Sequence, residues 1–168
     1  LGTGGRDFKI NFTGYLTYFQ YTNNYWMVMD SNYNIIDSLT PGNGYAIEAN
    51  SHDFAMYPDG HTFLLIDDKQ TMDLTYLGGK SNARVNSIII QEQDANKDVV
   101  WEWSGWDHYQ ITDADSHLSI TGLTVDYVHG NAVSRDTDGN LLLSCRSLCE
   151  LTKINHETGD IIWRLGGE

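Results

Sequence analysis

The chain has 168 residues, of which 23 are Asp or Glu and 10 are Lys or Arg, giving a formal charge of −13. The length suffices for one domain with a real core, whereas the acidity excludes nucleic acid and anionic membrane as partners and obliges any anionic substrate to find local cations. No run of about 18 apolar residues is present to span a membrane.

The N-terminal stretch LGTGGRDFKINF has neither a signal-peptide pattern nor an initiating Met, so the chain reads as an internal or processed piece. Helical periodicity is nearly absent, and short β-rich runs alternate with turn clusters, the pattern of an all-β protein. Strands are predicted at Phe8–Phe12, Tyr15–Tyr21, Tyr25–Met29 and Ile35–Leu39, with turns at Thr13-Gly14, Thr22–Asn24 and Asp30–Asn34. Asn11-Phe12-Thr13 is a glycosylation sequon, of consequence only in a eukaryotic secretory pathway. After the loop Thr40–Gly44, strands His52–Tyr57 and Thr62–Ile66 flank the turn Pro58-Asp59-Gly60. A polar connection leads to strands Arg84–Gln91 and Val99–Trp103, separated by Asp94–Asp98. Residues 106–123 are polar and irregular, a long connection or insertion of the kind that is more often functional than idle. The last stretch, Val125–Gly167, holds four strands and three connections.

Two units align with one another. His52-Asp53-Phe54-Ala55, Asp59-Gly60 and Phe63-Leu64-Leu65 match His129-Gly130-Asn131-Ala132, Asp138-Gly139 and Leu141-Leu142-Leu143. Val99-Val100-Trp101 likewise matches Ile161-Ile162-Trp163. An internal repeat of four strands is the mark of a β-propeller. The expected units are 8–39, 45–105 and 125–167, with 106–124 as an insertion. At about 40–45 residues per blade that makes some three blades or part-blades of a single propeller domain. A closed ring takes about four to eight, so the rest of the propeller or a partner chain is needed to close it.

In a propeller the first strand of each blade lines the central channel. His52 and His129 open the first strands of successive units and are expected to converge there. Pairing Val128–Ser134 with Asn140–Arg146, so that Ser134 opposes Asn140, puts Arg146 opposite Val128 and beside His129. Cross-strand neighbours lie about 5 Å apart. Such an arginine offers a planar fork of donors to an oxyanion such as sulfate or phosphate. Asp136-Thr137-Asp138-Gly139-Asn140 places oxygen ligands as at the start of a calcium loop. Its Gly is misplaced and the closing Glu is absent, which favours a hairpin turn. No metal-ligand spacing, P-loop, G-x-S-x-G or C-x-x-C motif occurs, so no metal or cofactor is expected. Cys145 and Cys149 read as two small buried or half-buried residues, a disulfide being conceivable if the strands around them pair.

At this point the residues resemble a family. Val125-Asp126-Tyr127-Val128-His129-Gly130-Asn131, the Asp136–Gly139 turn, Ser144-Cys145-Arg146 and Thr158-Gly159-Asp160-Ile161-Ile162-Trp163-Arg164-Leu165-Gly166-Gly167 are similar to the motifs of the arylsulfotransferases that do not use the nucleotide sulfate donor. His52-Asp53-Phe54 resembles that family's upstream histidine motif. The resemblance implies a six-bladed, periplasmic or extracellular propeller that moves a sulfuryl group from a phenolic sulfate ester to a phenol through a sulfated histidine. It implies catalytic roles for His52, His129 and Arg146 and a substrate-binding role for Asn131. It also places the sulfated histidine after the Trp-x-Leu-Gly-Gly segment, beyond Glu168, so the fragment alone is expected to be inactive. Gly130 is smaller than the neighbour the motif leads one to expect. The alternative is a non-catalytic secreted propeller used for binding or as a scaffold. A third is a propeller enzyme of other chemistry, such as a lyase or a quinoprotein. The quinoprotein lacks support from adjacent cysteines or a cofactor-stacking motif.

Overall fold

The computed structural model describes residues 4–167 and is all-β. The first sheet holds β1 (Gly5–Ile10), β2 (Leu16–Gln20), β3 (Tyr25–Met29) and β4 (Ile35–Leu39) in that order. The second holds β5 (Ala49–Met56), β6 (Thr62–Met72), β7 (Ala83–Gln93) and β8 (Val99–Ser104), and β9 (Thr124–Asp126) pairs in parallel with β7. The third holds β10 (Gly130–Arg135), β11 (Leu141–Cys145), β12 (Glu150–Ile154) and β13 (Ile161–Gly166). Apart from the parallel β9, each sheet is an antiparallel meander of sequential strands, the arrangement that tight turns between short strands produce. No helix among the described residues is long and apolar enough to cross a membrane.

The chain divides into two compact units, Leu1–Ile66 with Ile90–Glu102 and Asp67–Ile89 with Trp103–Glu168, so β6, β7 and β8 each contribute to both. In the first unit Phe19, Trp26, Val28, Leu39, Phe54 and Leu64 form the core. The Trp26 ring stacks on Phe54 with centroids 5.2 Å apart, and Phe19 meets Trp26 edge-on at the same separation. Burying one side chain of this size contributes about 1.5–3 kcal/mol. Asn11, 5% exposed, fastens β1 to β5. Its Nδ2 donates to the Phe54 carbonyl at 2.9 Å, and its Oδ1 accepts from the Met56 N–H at 2.7 Å. An amide so engaged is no glycan acceptor, and the sequon is structural.

In the second unit Leu141, Leu143 and Cys145 point to the buried face of β11 while Leu142 and Ser144 do not, the alternation a half-buried strand requires. Tyr127 is fully buried and its hydroxyl lies 3.0 Å from Ser87 Oγ. The stretch expected to be irregular is anchored rather than loose. It winds into 3-10 turns at Gly105–Asp107 and Ile111–Asp113. Trp106 donates to Asp68 at 2.8 Å, and buried Tyr109 donates to Thr152 Oγ1 at 2.6 Å. Burial pushes the Tyr109 phenol far above its ordinary range, so it stays a neutral donor. Arg164 joins this network from β13, with Nε 2.8 Å from Glu150 and Nη1 3.1 Å from Asp113.

One sequence expectation changes outright, the cysteine reading changes only in the exposure of Cys149, and the hairpin reading of the Asp136–Asn140 turn stands. Residues 67–72, read as the start of a polar connection, continue β6, because the backbone ladder with β7 runs on past the apolar core. Cys145 and Cys149 are not joined by a disulfide: Cys145 is buried, with its thiol pushed up to about 12 by burial, and Cys149 is exposed. The calcium-like turn already contains a cation. Lys153 Nζ lies 2.7 Å from both Asp136 Oδ2 and Asp138 Oδ2, and Gly139 closes the turn at φ 85°.

Candidate functional site

His129 lies between β9 and β10 with φ 49°, a left-handed backbone that is uncommon for a side chain larger than Gly. Its Nδ1 is 2.5 Å from Asp126 Oδ2, and Asn86 donates to the other Asp126 oxygen at 3.0 Å. The carboxylate is thereby pinned from β7 and fixes the imidazole ring in turn, the arrangement that sets a histidine's tautomer.

The β10–β11 register differs from the sequence expectation. Ser134 faces Leu142, not Asn140, because the turn between the strands is Asp136–Asn140 and not Arg135–Gly139. A bulge between Gly130 and Ala132 then shifts the ladder back by one. Together these set Arg146 across from His129 itself: the Arg146 N–H donates to the His129 carbonyl at 3.0 Å, and the Ser147 N–H to Val128 at 3.2 Å. Arg146 begins the turn after β11, and its side chain is exposed. Asn131 stands at the bulge and is exposed as well. Gly130 is small for a packing reason, since a Cβ there would lie 2.7 Å from Ile88 Cγ1.

His52 occupies a similar place in its own sheet. The β5–β6 register breaks between Ala49 and Phe54, and His52 falls within the break. It is half-buried, with its backbone N–H donating to Asn50 Oδ1 at 2.8 Å and its Nδ1 2.9 Å from the same oxygen. β1 has such a break too, between Arg6 and Lys9. Bulges of this kind re-aim side chains out of the ladder. Lys9 bonds Asp53, beside His52, and lies 2.7 Å from Asp7. Burial works against its charge, but the bonds to Asp53 and Asp7 hold the Lys9 ammonium above its ordinary value.

A cleft of about 370 Å3 lined by Asp67, Lys69, Arg84, Asn86, Thr124 and Asp126 reaches the carboxylate that orients His129. Lys69 and Arg84 bring positive charge to it. Sequence reasoning quoted Asp126 only as part of the motif around His129 and gave no role to Asn86, Asn50 or these two cations. Only Asp126 carried a local signal, three residues before His129.

The comparisons agree with this architecture. A protein of unknown function from Bacteroides caccae has a solved structure that superposes with a TM-score of 0.53 at 9% identity, over 99% of this chain and 47% of that one. The likeness is one of fold, and this chain spans about half the length of that protein. None of the curated proteins matches the sequence significantly. The family model described as arylsulfotransferase (ASST) matches residues 11–168, and the chain therefore belongs to that family.

Proposed function

We propose that the protein transfers a sulfuryl group from a phenolic sulfate ester to a phenol, with His52, His129 and Arg146 holding the group and Asn131 contacting the substrate. The observation that carries this reading is the hydrogen bond from the Arg146 N–H to the His129 carbonyl, which ties the backbones of an imidazole and a guanidinium together at 3.0 Å. A guanidinium suits the equatorial oxygens of a sulfuryl group, where negative charge builds in the transition state. In the first step the bond between sulfur and the aryl oxygen breaks as sulfur bonds to a nucleophilic nitrogen. The phenolate leaves with a proton from an imidazole. In the second step the acceptor phenol attacks sulfur, its proton passes back to that imidazole, and the sulfur–nitrogen bond breaks. The covalent sulfohistidine implied by the family resemblance calls for a nucleophilic histidine other than His52 and His129.

The same reading takes the three meanders as blades of one propeller, with the first-strand register breaks of β5 and β10 turning His52 and His129 toward its channel. It also takes the protein to act in the periplasm or outside the cell. The test offers an aryl sulfate to the protein as its gene encodes it, with and without a phenol acceptor. Phenol release that depends on acceptor supports transfer. Equal release without acceptor identifies a sulfatase, and no release in either arm favours the scaffold.

A further inference from the structure

A second cluster of reactive side chains lies apart from the residues assigned above, and the fold brings it together from two distant stretches. Asp115 and His117 come from the connection that follows β8, and Cys149 from the turn between β11 and β12. The Asp115 N–H donates to the Ser147 carbonyl at 2.8 Å, so backbone alone docks the connection on the turn. An Asx bond from the His117 N–H to Asp115 Oδ1 at 2.9 Å orients the carboxylate. His117 Nδ1 is 2.7 Å from that same oxygen, and Cys149 Sγ is 3.9 Å from His117 Nδ1. The thiol also hydrogen-bonds Asp115. One donor atom from each of the three residues lies within 4.8 Å of the other two.

The turn presents its cysteine in an unusual way. Cys149 has φ 50°, a conformation for which Gly or Asn is the ordinary choice. The backbone fixes it there: the Cys149 N–H donates to Arg146 at 3.1 Å, and the Cys149 carbonyl accepts from Gly167 at 3.0 Å. The thiol therefore stays beside His117 with little chain freedom left to lose on binding.

We propose that Asp115, His117 and Cys149 bind a thiophilic divalent cation of the zinc type. A carboxylate oxygen, an imidazole nitrogen and a thiolate sulfur form a donor set that excludes calcium and magnesium, which take oxygen ligands, and suits zinc. Zinc ligands at about 2.0–2.3 Å in tetrahedral array stand roughly 3.3–3.6 Å from one another. The Asp115–His117 pair opens and the Cys149–His117 pair closes by about half an ångström to reach this. Side-chain rotation supplies that movement, since the His117 side chain is 46% exposed. Three protein ligands leave a fourth position to water. On binding, the metal takes the Nδ1 position, the neutral His117 ring carries its proton on Nε2, and the thiol proton is released to solvent. Held this way, the ion clamps the connection to the turn that begins with Arg146.

The test is a Co2+ titration of reduced, chelator-stripped protein, followed by competition with Zn2+. The expected result is a near-ultraviolet thiolate-to-cobalt charge-transfer band that saturates stoichiometrically and is bleached by Zn2+. Cys149→Ser abolishes the band. His117→Ala weakens Zn2+ binding more than about 100-fold, beyond the 10–100-fold loss that follows removal of an outer-sphere partner. Both positions are exposed, and circular dichroism checks that each variant is folded. Absence of the band up to millimolar Co2+, its survival in Cys149→Ser, or unchanged Zn2+ affinity in His117→Ala overturns the site.

Discussion

Asp126 Oδ2 sits 2.5 Å from His129 Nδ1, and Asn86, reaching over from β7, holds the other oxygen of the same carboxylate. An imidazole so gripped presents one tautomer and one orientation to a ligand. Asp126→Asn keeps the shape but lets the amide turn its NH2 toward the ring, where it favours the opposite tautomer. Because positioned proton transfer contributes about 10^2–10^4-fold, the variant is expected to lose about 100-fold in sulfuryl transfer, with an altered pH profile. Steady-state rates across pH measure both. An unchanged profile would remove Asp126 from the chemistry.

Arg146 is exposed, so its removal separates chemistry from folding. Arg146→Ala keeps the backbone bond to His129, which belongs to the N–H, and loses only the guanidinium. The expected cost is about 10^2–10^3-fold in turnover, the scale for one oxyanion donor, with an unaltered melting temperature. Arg146→Lys is expected to recover only part of it, since an ammonium lacks the planar fork.

Gly130 tests packing instead of chemistry. Its backbone passes so close to Ile88 that an added methyl group would sit 2.7 Å from Cγ1 and 2.8 Å from Cδ1. Gly130→Ala is expected to destabilise the protein by about 1–3 kcal/mol, read by denaturant unfolding. The double variant Gly130→Ala with Ile88→Ala is expected to lose less stability than the two single variants summed, because that truncation removes Cγ1 and Cδ1 and leaves Cβ 3.5 Å away.

The Asp136–Asn140 turn supplies a pH prediction. The Lys153 ammonium, with help from the Asn140 side chain, holds the Asp138 carboxyl down to about 2. Because the folded value lies below the ordinary unfolded value of about 3.9, the linked stability is fully present above that unfolded value. It is lost as pH falls through about 2. In a carboxyl NMR titration, Lys153→Met is expected to move the Asp138 midpoint up toward the unfolded value. A midpoint that stays put would mean that the turn's own N–H groups, not the lysine, hold the carboxylate.

How far the sequence could be read depended on whether a signal was local. Tyr25–Met29 and Ile35–Leu39 stand as strands with the bounds expected of them, because their β-forming residues sit between unambiguous turn residues. The strand at Asp67–Met72 was hidden by its polar side chains, since a ladder of backbone bonds leaves no mark on composition. The bulge at Asn131 was hidden for the same reason. Arg146 was expected beside His129 through a turn misplaced by one residue, and the true register brings it directly opposite. The grip of Asn86 on Asp126 joins residues 40 apart, and the Asp115–His117–Cys149 cluster joins two segments that share no motif. Neither pattern has a period for the eye to find.

The breaks in the first strands have a consequence for how such a protein diversifies. His52 stands where β5 and β6 are out of step, and the His129 carbonyl meets Arg146 just past the end of β11, ahead of the bulge at Asn131. Their side chains thus stand outside the regular cross-strand pairs that hold the sheets together. Selection can exchange the chemistry at these two positions while the meanders around them keep their register, much as a tool is changed in a fixed handle.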